Sequence, residues 1–251
     1  MLIDIMKDFR ADLHIHSVLS PCGDLDMSPR NIIKFAREKQ IDILGISDHN
    51  STKHGPLMRR LGSENEVFVL TGAEVTSREE VHCLTFFETD EQLESFQRYI
   101  DKYLIPFPND PVRFGHQVVV DEHDNILEEA ENLLIYSIDQ GVDQIGKIVH
   151  EHGGLFIPAH VNRQRNSIIS QLGFVPADIN ADALEISRHI SKEAFLEANS
   201  YLEDYTFIQS SDAHFPEDIG RVCSVLKMES VSFKEIKMAL AKEDGREVVL
   251  P

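Results

Sequence analysis

The 251-residue sequence is poor in cysteine, contains no tryptophan and has no apolar run that approaches the length of a transmembrane span. Its three cysteines are far apart and form no CxxC pair, which argues against a disulfide framework and a structural zinc finger, and favours a reducing compartment. The opening MLIDIMKDFRADLH is charged throughout and lacks the apolar core of a signal peptide. We therefore expect a cytoplasmic protein with no membrane partner.

Basic residues are also scarce, since 24 Lys and Arg stand against 43 Asp and Glu, for a formal net charge of −19. Most of such a surface repels a nucleic-acid backbone, so we expect no duplex nucleic acid among the partners. A local cationic site is compatible with this charge if something other than Lys and Arg supplies it. The glycine-rich patterns of nucleotide-binding folds are absent from the sequence as well.

Apolar, β-branched runs alternate with helical patterns along most of the chain, which indicates βα units and a parallel sheet. At this length we expect one α/β domain, residues 1–251, folded as a closed or distorted barrel rather than a doubly wound sheet. Seven strands are predicted, at residues 11–17, 41–50, 67–77, 80–87, 155–160, 183–189 and 206–214. Helices are predicted at residues 28–40, 90–104, 127–140, 142–152 and 191–204, with a last helix from Ser232.

The segment at about 105–126 interrupts this alternation. Three prolines precede the run GHQVVVDEHDNI, a pattern typical of an irregular loop followed by a small hairpin. We interpret the segment as an insertion. It is either a lid over the mouth of the barrel or a surface elaboration, and we favour the lid.

Histidines and carboxylates gather at or near the ends of the predicted strands. An HxH pair by itself has little meaning, but the carboxyl ends of parallel barrel strands meet on one face, where active sites form. Metal binding explains the set together, because residues i and i+2 of a strand point the same way and can direct two ligands into one pocket. The set comprises His14, His16, Asp48, His49, Glu74, His82, His160, Asp212 and His214.

Asp48 and His49 are neighbours and would face opposite sides of a regular strand. We take His49 as a metal ligand and Asp48 as a supporting residue that orients an imidazole or a backbone group, although these roles could be reversed.

The turn SPCGD after the first strand offers two further ligands. Pro21 and Gly23 can bring the chain back over the barrel mouth, so that Asp24 places a carboxylate near the two histidines of the HxH pair. Cys22 is the alternative ligand, and its thiolate would favour zinc strongly. Because a lone cysteine is more often a small buried apolar residue, we prefer Asp24.

The ordered set of HxH, DH, a strand-end Glu, an internal His, AH and SDAH resembles the PHP (polymerase and histidinol phosphatase) family, from Asp12 to about Pro251. The resemblance is to the small stand-alone phosphoesterases of that family. It implies a distorted (βα)7 TIM-like barrel that holds two or three divalent metal ions. It also implies three ligand sets: His14, His16, Glu74 and Asp212; Glu74, His82 and His160; and Asp24, His49 and His214.

Such ions would make the pocket net positive inside an acidic protein, because their charge exceeds that of the three carboxylates. Nitrogen and oxygen ligands suit zinc, manganese or iron better than calcium. Two ions bridged by Glu74 would generate a metal-activated hydroxide, with His14, His16, Glu74 and Asp212 as the catalytic site. We therefore expect a phosphoesterase whose substrate is a small phosphorylated metabolite or a short nucleotide.

Arginines near the strand ends are candidates for phosphate binding, because a guanidinium group matches a phosphate bidentately. The substrate-binding candidates are Arg163, Arg165, Arg188 and His189, and Arg221 is a weaker one. No role is assigned to His54, His116, His123, His150 and His152, which are predicted to lie on the surface or on helices.

Two functions of other classes remain open. The same kind of metal site could hydrolyse an amide or acyl bond, since an activated water attacks carbonyl carbon as well as phosphorus. The chain could also be a metal-binding module without catalysis. The sequence does not predict an oligomeric state.

Overall fold

The structure, a computed structural model, describes residues 6–251. Its helices are α1 (Pro29–Glu38), α2 (Gly55–Glu64), α3 (Asp90–Tyr103), α4 (Pro111–Phe114), α5 (Val142–Glu151), α6 (Ile168–Leu172), α7 (Lys192–Ala198) and α8 (Phe233–Ala241). Its strands are β1 (Lys7–Ile15), β2 (Ile43–Ile46), β3 (Phe68–Thr76), β4 (His82–Phe87), β5 (Val118–Val120), β6 (Ile126–Glu129), β7 (Leu155–Pro158), β8 (Leu184–Glu185), β9 (Phe207–Ile208), β10 (Ser224–Met228) and β11 (Glu247–Val249). Within this range no helix combines the length and the apolar character that crossing a membrane demands.

The α/β fold is built on a mixed seven-stranded sheet in the order β11-β10-β1-β2-β3-β4-β7. Strands β1, β2 and β3 run parallel, while β4 is antiparallel to both β3 and β7, and β10 is antiparallel to β1. The parallel pair β8–β9 is joined to the two sides of this sheet by backbone hydrogen bonds. The amide of Val161 donates to Glu185, and the amide of His16 donates to Ala213. The sheet therefore curls around a common interior.

The expected parallel order is wrong at β4. The connection between β3 and β4 is residues 77–81, which is too short for the helical crossover that a parallel pair requires, so the chain turns back directly. Strands β10 and β11 were not predicted. They extend the sheet beyond β1, where they cover an edge that would otherwise be open.

Apolar side chains from strands around the sheet fill one interior cluster. Leu13, Ile43, Leu70, Phe86 and Ile157 are all buried in it. Residues of α8 belong to the same cluster and pack against the strands. With apolar side chains filling this space, the polar residues at the carboxyl ends of the strands are brought together beside it.

Most predicted helices agree with the structure to within a few residues. Helix α1 begins as its sequence indicates, because the side chain of Ser28 accepts from the amide of Asn31 and Pro29 occupies the first helical position. The helix predicted at 127–140 is wrong. Residues 126–129 instead form β6, which pairs with β5 and exposes Ile126 and Leu127.

The irregular region is consequently longer than the predicted 105–126 and spans residues 104–141, between α3 and α5; we call it the α3–α5 segment. It packs along the loop that follows β1. The amide of Val118 donates to Val18, and a Cβ atom on Gly115 would lie 2.2 Å from the carbonyl oxygen of Pro21, so no larger residue fits there. The predicted hairpin, β5–β6, is confirmed within this segment.

Replacing Gly45 with alanine tests the contact between β1 and β2. A Cβ atom at this position would lie 2.4 Å from the carbonyl oxygen of Leu13, and a strand backbone cannot move aside as a flexible side chain can. We expect Gly45→Ala to lower the free energy of unfolding by about 1–3 kcal/mol, measured by urea denaturation. As a control, Gly141→Ala meets only the end of the Glu79 side chain and should cost about 1 kcal/mol or less. Equal stabilities for the two variants would contradict this close approach.

Candidate metal centre

A single buried carboxylate lies at the centre of the polar strand ends. Glu74, in β3, is 1% exposed. Its two oxygens lie between 2.9 and 3.4 Å from ring nitrogens of five histidines: His14, His16, His49, His82 and His160. These side chains come from four neighbouring strands or their ends, so the curl of the sheet brings them together. We call Glu74 with these histidines, Asp212 and His214 the metal centre.

The HxH pair is arranged for a cation. The Nε2 atoms of His14 and His16 face each other at 3.1 Å. His14 Nδ1 lies 3.0 Å from a Glu185 oxygen, which only accepts, so this Nδ1 carries the proton. His16 Nδ1 lies 3.0 Å from Ser20 Oγ, whose own proton is directed to Asp48, so it donates as well. In neutral rings both Nε2 lone pairs therefore point at the same space, and a cation there would relieve their repulsion.

Several other ring nitrogens of the centre lack a hydrogen-bond partner among residues 6–251. They are His82 Nε2 and His160 Nδ1, both buried, together with the buried His49 Nδ1, which lies 3.2 Å from Glu74 but not in the alignment of a hydrogen bond. A buried polar atom without a partner is costly, whereas a metal ion would satisfy it. Donor atoms lie within 4.8 Å of one another in three groups: His14, His16 and Glu74; His49, Glu74 and His82; and His16, Cys22, His49 and His214. These residues fit divalent ions, as the sequence indicates.

The charges of the centre are strongly coupled. Burial acts to lower the pKa of His16, but hydrogen bonds to Asp212 and Glu74 outweigh it and raise this pKa to about 9. Burial acts to raise the pKa of Glu74, but the charge of His82 and of other histidines holds it well below its usual range. Glu74 and Asp212 are therefore ionised, and a proton on His16 takes the place that a metal ion could occupy.

Three other histidines of the centre, His49, His160 and His214, are held in the neutral form that binds metal. Burial lowers the pKa of His49 and of His160, and it lowers the pKa of His214 to about 4. These rings are neutral near pH 7 and can offer a lone pair without first losing a proton.

Two residues of the centre have an unusual backbone conformation. His160 follows β7 with a φ of 31°, and Asp212 follows β9 with a φ of 51°. Residues other than glycine rarely adopt this left-handed region. Such strain is common at functional sites, where surrounding structure holds it in place. Asp212 Oδ1 lies 3.4 Å from Nε2 of both His14 and His16, so its predicted place beside the HxH pair is what the structure shows.

Glu185, at the end of β8, is a residue that the sequence analysis missed. It is 2% exposed, contacts His14 Nδ1 and accepts from the amide of His160. It thereby fixes the tautomer of one ligand and the backbone of another. An acidic residue inside the apolar run ALEIS was the available signal, since carboxylates are seldom buried without a partner.

A second supporting chain starts at Asp48 and includes another missed residue, His54. The carboxylate of Asp48 accepts hydrogen bonds from Ser17 and Ser20, and its supporting role stays a prediction. His54 was predicted to be a surface or helix residue with no role, but it is 1% exposed. Its Nδ1 lies 2.7 Å from Ser17 Oγ, and its Nε2 accepts from the amide of Val120 in β5. Hydrogen bonds thus run from the α3–α5 segment to Asp48 and, through Ser20, to His16.

The structure separates the two candidates in the turn after β1. The carboxylate of Asp24 accepts from the amide of Asp26 and is not among the grouped donor atoms, so the structure does not bring it into the centre. The sulfur of Cys22 does lie among these atoms. The carboxylate of Asp24 stabilises the backbone of the turn instead of facing the histidines. The geometry therefore favours Cys22 over Asp24, against the preference drawn from the sequence.

Of the predicted phosphate ligands, only two lie beside the centre. Arg163 Nη2 is 2.5 Å from Asp212, and Arg188 donates to the carbonyl of Ser211 while its buried Nε has no partner among residues 6–251. Arg165 and His189 are exposed and make no side-chain contact described in this range. The exposed Arg221 pairs with Asp218 instead. The remaining histidines lie away from the centre: His116 pairs with Glu129, His150 with Asp182 and His152 with Ser95, while His123 is exposed in the hairpin turn.

Comparison with solved structures defines the class of protein. The lesion-specific endonuclease EndoQ of Pyrococcus furiosus matches with a TM-score of 0.72 and 20% identity, covering 96% of this chain and 58% of that one. A two-domain protein of Bacteroides vulgatus that contains a predicted PHP-like metal-dependent phosphoesterase matches with a TM-score of 0.58 and 16% identity, covering 97% and 64%. The chain has a PHP-like fold, and the resemblance to the PHP family is confirmed.

Sequence relatives are also found, although no family model matches the chain. Uncharacterized protein YqxK of Bacillus subtilis is 26% identical over 97% of this chain, which spans 65% of the length of that protein. Uncharacterized protein MJ1587 of Methanocaldococcus jannaschii is 30% identical over 41% of this chain and 70% of its own length. The chain belongs to the same family as MJ1587.

One expectation about partners is wrong. EndoQ has also been solved in complex with a 27-mer duplex substrate that carries an abasic lesion at the active site, and this structure matches with a TM-score of 0.71, 20% identity and 96% coverage of this chain. A fold of this kind is thus compatible with a duplex, which contradicts the exclusion of duplex nucleic acid. The exclusion was drawn from net charge, and net charge says little about the local field at one site.

Replacing Glu185 with glutamine tests the support of His14. A glutamine amide has one oxygen that accepts and an NH2 group that donates. If the NH2 group donates to His14 Nδ1, the ring proton moves to Nε2, which is the wrong tautomer for binding an ion through Nε2. We expect affinity of the metal-free protein for Zn²⁺ or Mn²⁺, measured by calorimetry, to fall by roughly 10–100-fold. Glu203→Gln, at an exposed position, is the matched control and should bind as the unchanged protein does. Equal affinities would show that Glu185 does not support the centre.

Replacing His54 with alanine tests the link to the α3–α5 segment. We expect metal affinity to fall by about tenfold and amide exchange at Val118 and Val120 to quicken, because Val120 loses its acceptor. His54→Asn keeps a donor near the Nδ1 position and should lose less affinity. His123→Ala, in the exposed hairpin turn, is the control. Unchanged exchange and affinity in His54→Ala would contradict the link.

Proposed function

We propose that the protein is a metal-dependent phosphoesterase. The observation that carries this proposal is the buried Glu74 among five histidine nitrogens, with two Nε2 lone pairs directed at one space. Divalent ions bound there would supply Lewis acidity and lower the pKa of a water molecule, the two requirements of phosphoester hydrolysis. The metal ligands we propose are those of the sequence analysis, with Asp24 set aside, and zinc, manganese or iron as the metal.

The residues of the chain would divide the work as follows. Glu74 lies between the His14–His16 pair and the His82–His160 pair, so it is placed to be shared by two ions. Arg163 contacts Asp212 at the edge of the centre and is 40% exposed, so it can also reach a substrate phosphate.

Arg188 has a buried Nε without a hydrogen-bond partner among residues 6–251, and its Nη1 donates to the carbonyl of Ser211, the residue before Asp212. His214 is partly exposed at the entrance, and its Nδ1 donates to the carbonyl of Asp212, so its Nε2 can offer a lone pair to an ion.

The burial of the centre restricts the form of the substrate. His14, His16 and Glu74 are at most 1% exposed, so only a phosphate that projects from its molecule can reach them. A small phosphorylated metabolite or a short nucleotide meets this requirement and is our first candidate. A phosphodiester beside a DNA lesion is the second, because an extrahelical nucleotide also projects. The similarity to EndoQ over 96% of this chain favours that candidate.

We further propose that residues 1–251 form one distorted (βα)7-like barrel domain with the α3–α5 segment as its insertion. The hydrogen bonds that join β8–β9 to both sides of the large sheet support this closure. The cytoplasmic location stays a prediction from the cysteine content.

Hydrolysis by the metal-loaded protein tests the proposed function. The panel contains p-nitrophenyl phosphate, nucleoside monophosphates, bis-p-nitrophenyl phosphate, a duplex with one abasic site and the same duplex without it. We expect phosphate release or strand cleavage that Glu74→Gln reduces by at least roughly a hundredfold, since Glu74 contacts five of the proposed histidine ligands. Metal content is measured in each sample, so that loss of metal and loss of reaction are told apart.

Three outcomes would decide between the candidates. Release of phosphate from monoesters supports the first substrate, and cleavage confined to the lesion-bearing duplex supports the second. Hydrolysis of N-acetylated amides without any phosphoester cleavage would favour an amide hydrolase. Full metal occupancy with no reaction on any substrate would contradict catalysis and leave a metal-binding module.

A further inference from the structure

The turn that follows β1 holds Cys22 in a defined place at the edge of the metal centre. The amide of Gly23 donates to Ser20, and the amide of Asp24 donates to the carbonyl of His214. A Cβ atom on Gly23 would lie 2.3 Å from the carbonyl oxygen of Ser17, so only glycine allows this close return of the chain. Cys22 is consequently held between the two strand ends that carry His16 and His214.

The sulfur of Cys22 lies among histidine nitrogens. One donor atom each from His16, Cys22, His49 and His214 lies within 4.8 Å of the others. Ligand atoms about 2.0–2.3 Å from one zinc ion are roughly 3.5 Å apart in a tetrahedral site, so small side-chain rotations would close the set around an ion. The rings of His49 and of His214 each lie 4.5 Å from that of His16, measured between centroids.

A second observation at the same place indicates a ligand. His49 is 2% exposed, and its buried Nδ1 lies 3.2 Å from a Glu74 oxygen without the alignment of a hydrogen bond and has no other partner among residues 6–251. His214 Nδ1 lies 2.9 Å from the carbonyl oxygen of Asp212, so Nδ1 donates and Nε2 keeps a lone pair for an ion. The cysteine is therefore not isolated, since donor atoms of His49 and His214 lie beside its sulfur.

We propose that Cys22, His49 and His214 bind a divalent ion, with Cys22 as its thiolate ligand and Asp24 outside the site. The inference rests on the metal binding that the proposed function requires, but not on the reaction. His16 faces His14 and Glu74 as well, and we assign it to the neighbouring ions. Three protein ligands leave a fourth position open to water or to a substrate phosphate, as in catalytic zinc sites.

The charges of the centre explain why the ion and the thiolate depend on each other. A thiolate at Cys22 without an ion would face the negative charges of Glu74 and Asp212 in the same centre. A divalent ion supplies the opposite charge and binds the deprotonated form. The thiolate in turn makes this position softer than the rest of the centre, so it should prefer zinc or cobalt to manganese.

Cobalt titration of the metal-free protein tests the assignment, because Co²⁺ bound to a thiolate has a sulfur-to-metal charge-transfer band in the near ultraviolet. We expect this band in the unchanged protein and in Asp24→Asn, and its loss in Cys22→Ser. Cys83 and Cys223 remain in every variant, so the band reports Cys22 alone. Cys22→Asp should bind cobalt without the band and should raise affinity for Mn²⁺ at this site by at least about tenfold.

The outcomes separate this inference from the proposed function. A band that Cys22→Ser abolishes and Asp24→Asn retains supports it, whether or not phosphoesters are hydrolysed. Cobalt binding without a band, or a loss of one metal equivalent in Asp24→Asn but not in Cys22→Ser, would overturn it while the proposed function stands. If no divalent ion binds under any loading condition, both are overturned.

Discussion

The burial of one negative charge, that of Glu74, is the constraint on which the metal centre depends. A carboxylate that is 1% exposed needs compensating positive charge or hydrogen bonds, and this one is surrounded by histidines rather than by Lys or Arg. Histidine can compensate it either by carrying protons or by offering lone pairs to cations. In the first case the protons strain the site by mutual repulsion; in the second, divalent ions satisfy Glu74 and the nitrogens together.

Around this centre, other carboxylates decide which ring nitrogen faces inward. Glu185 holds His14, and Asp48 acts on His16 through Ser20. Because a carboxylate accepts and does not donate, each leaves the proton on Nδ1 and the lone pair on Nε2. His54 links Ser17, which donates to Asp48, with the amide of Val120, so the α3–α5 segment is part of the support of the centre.

The acidic composition of the protein is compatible with the phosphate binding that we propose, because bound ions would make the centre locally positive. A net charge of −19 describes the surface as a whole, while bound ions would set the field within a few ångströms of Glu74. The exclusion of duplex nucleic acid failed on this distinction. Charge totals bear on long-range encounter and its salt dependence, but they do not identify what a recessed, cation-filled site can hold once contact is made.

The sequence by itself determined where most of the polar strand ends and several helix starts lie along the chain. The HxH pair, Glu74 and the terminal SDAH are local patterns at strand ends, and the helix caps at Ser28 and Ser232 follow from short-range hydrogen bonds. Local patterns suffice there because neighbouring residues fix both the element and the direction of the side chain.

Only the tertiary structure decided the rest. Glu185 and His54 acquire their roles from partners 171 and 66 positions away, and no local pattern records such contacts. The helix predicted at 127–140 failed because pairing with β5 outweighed a helical period, and the choice between Asp24 and Cys22 turned on how one loop folds back. Long-range pairing and loop geometry depend on the whole fold, which is why candidate ligands could be proposed from local patterns, whereas Glu185, His54 and the choice between Asp24 and Cys22 could not.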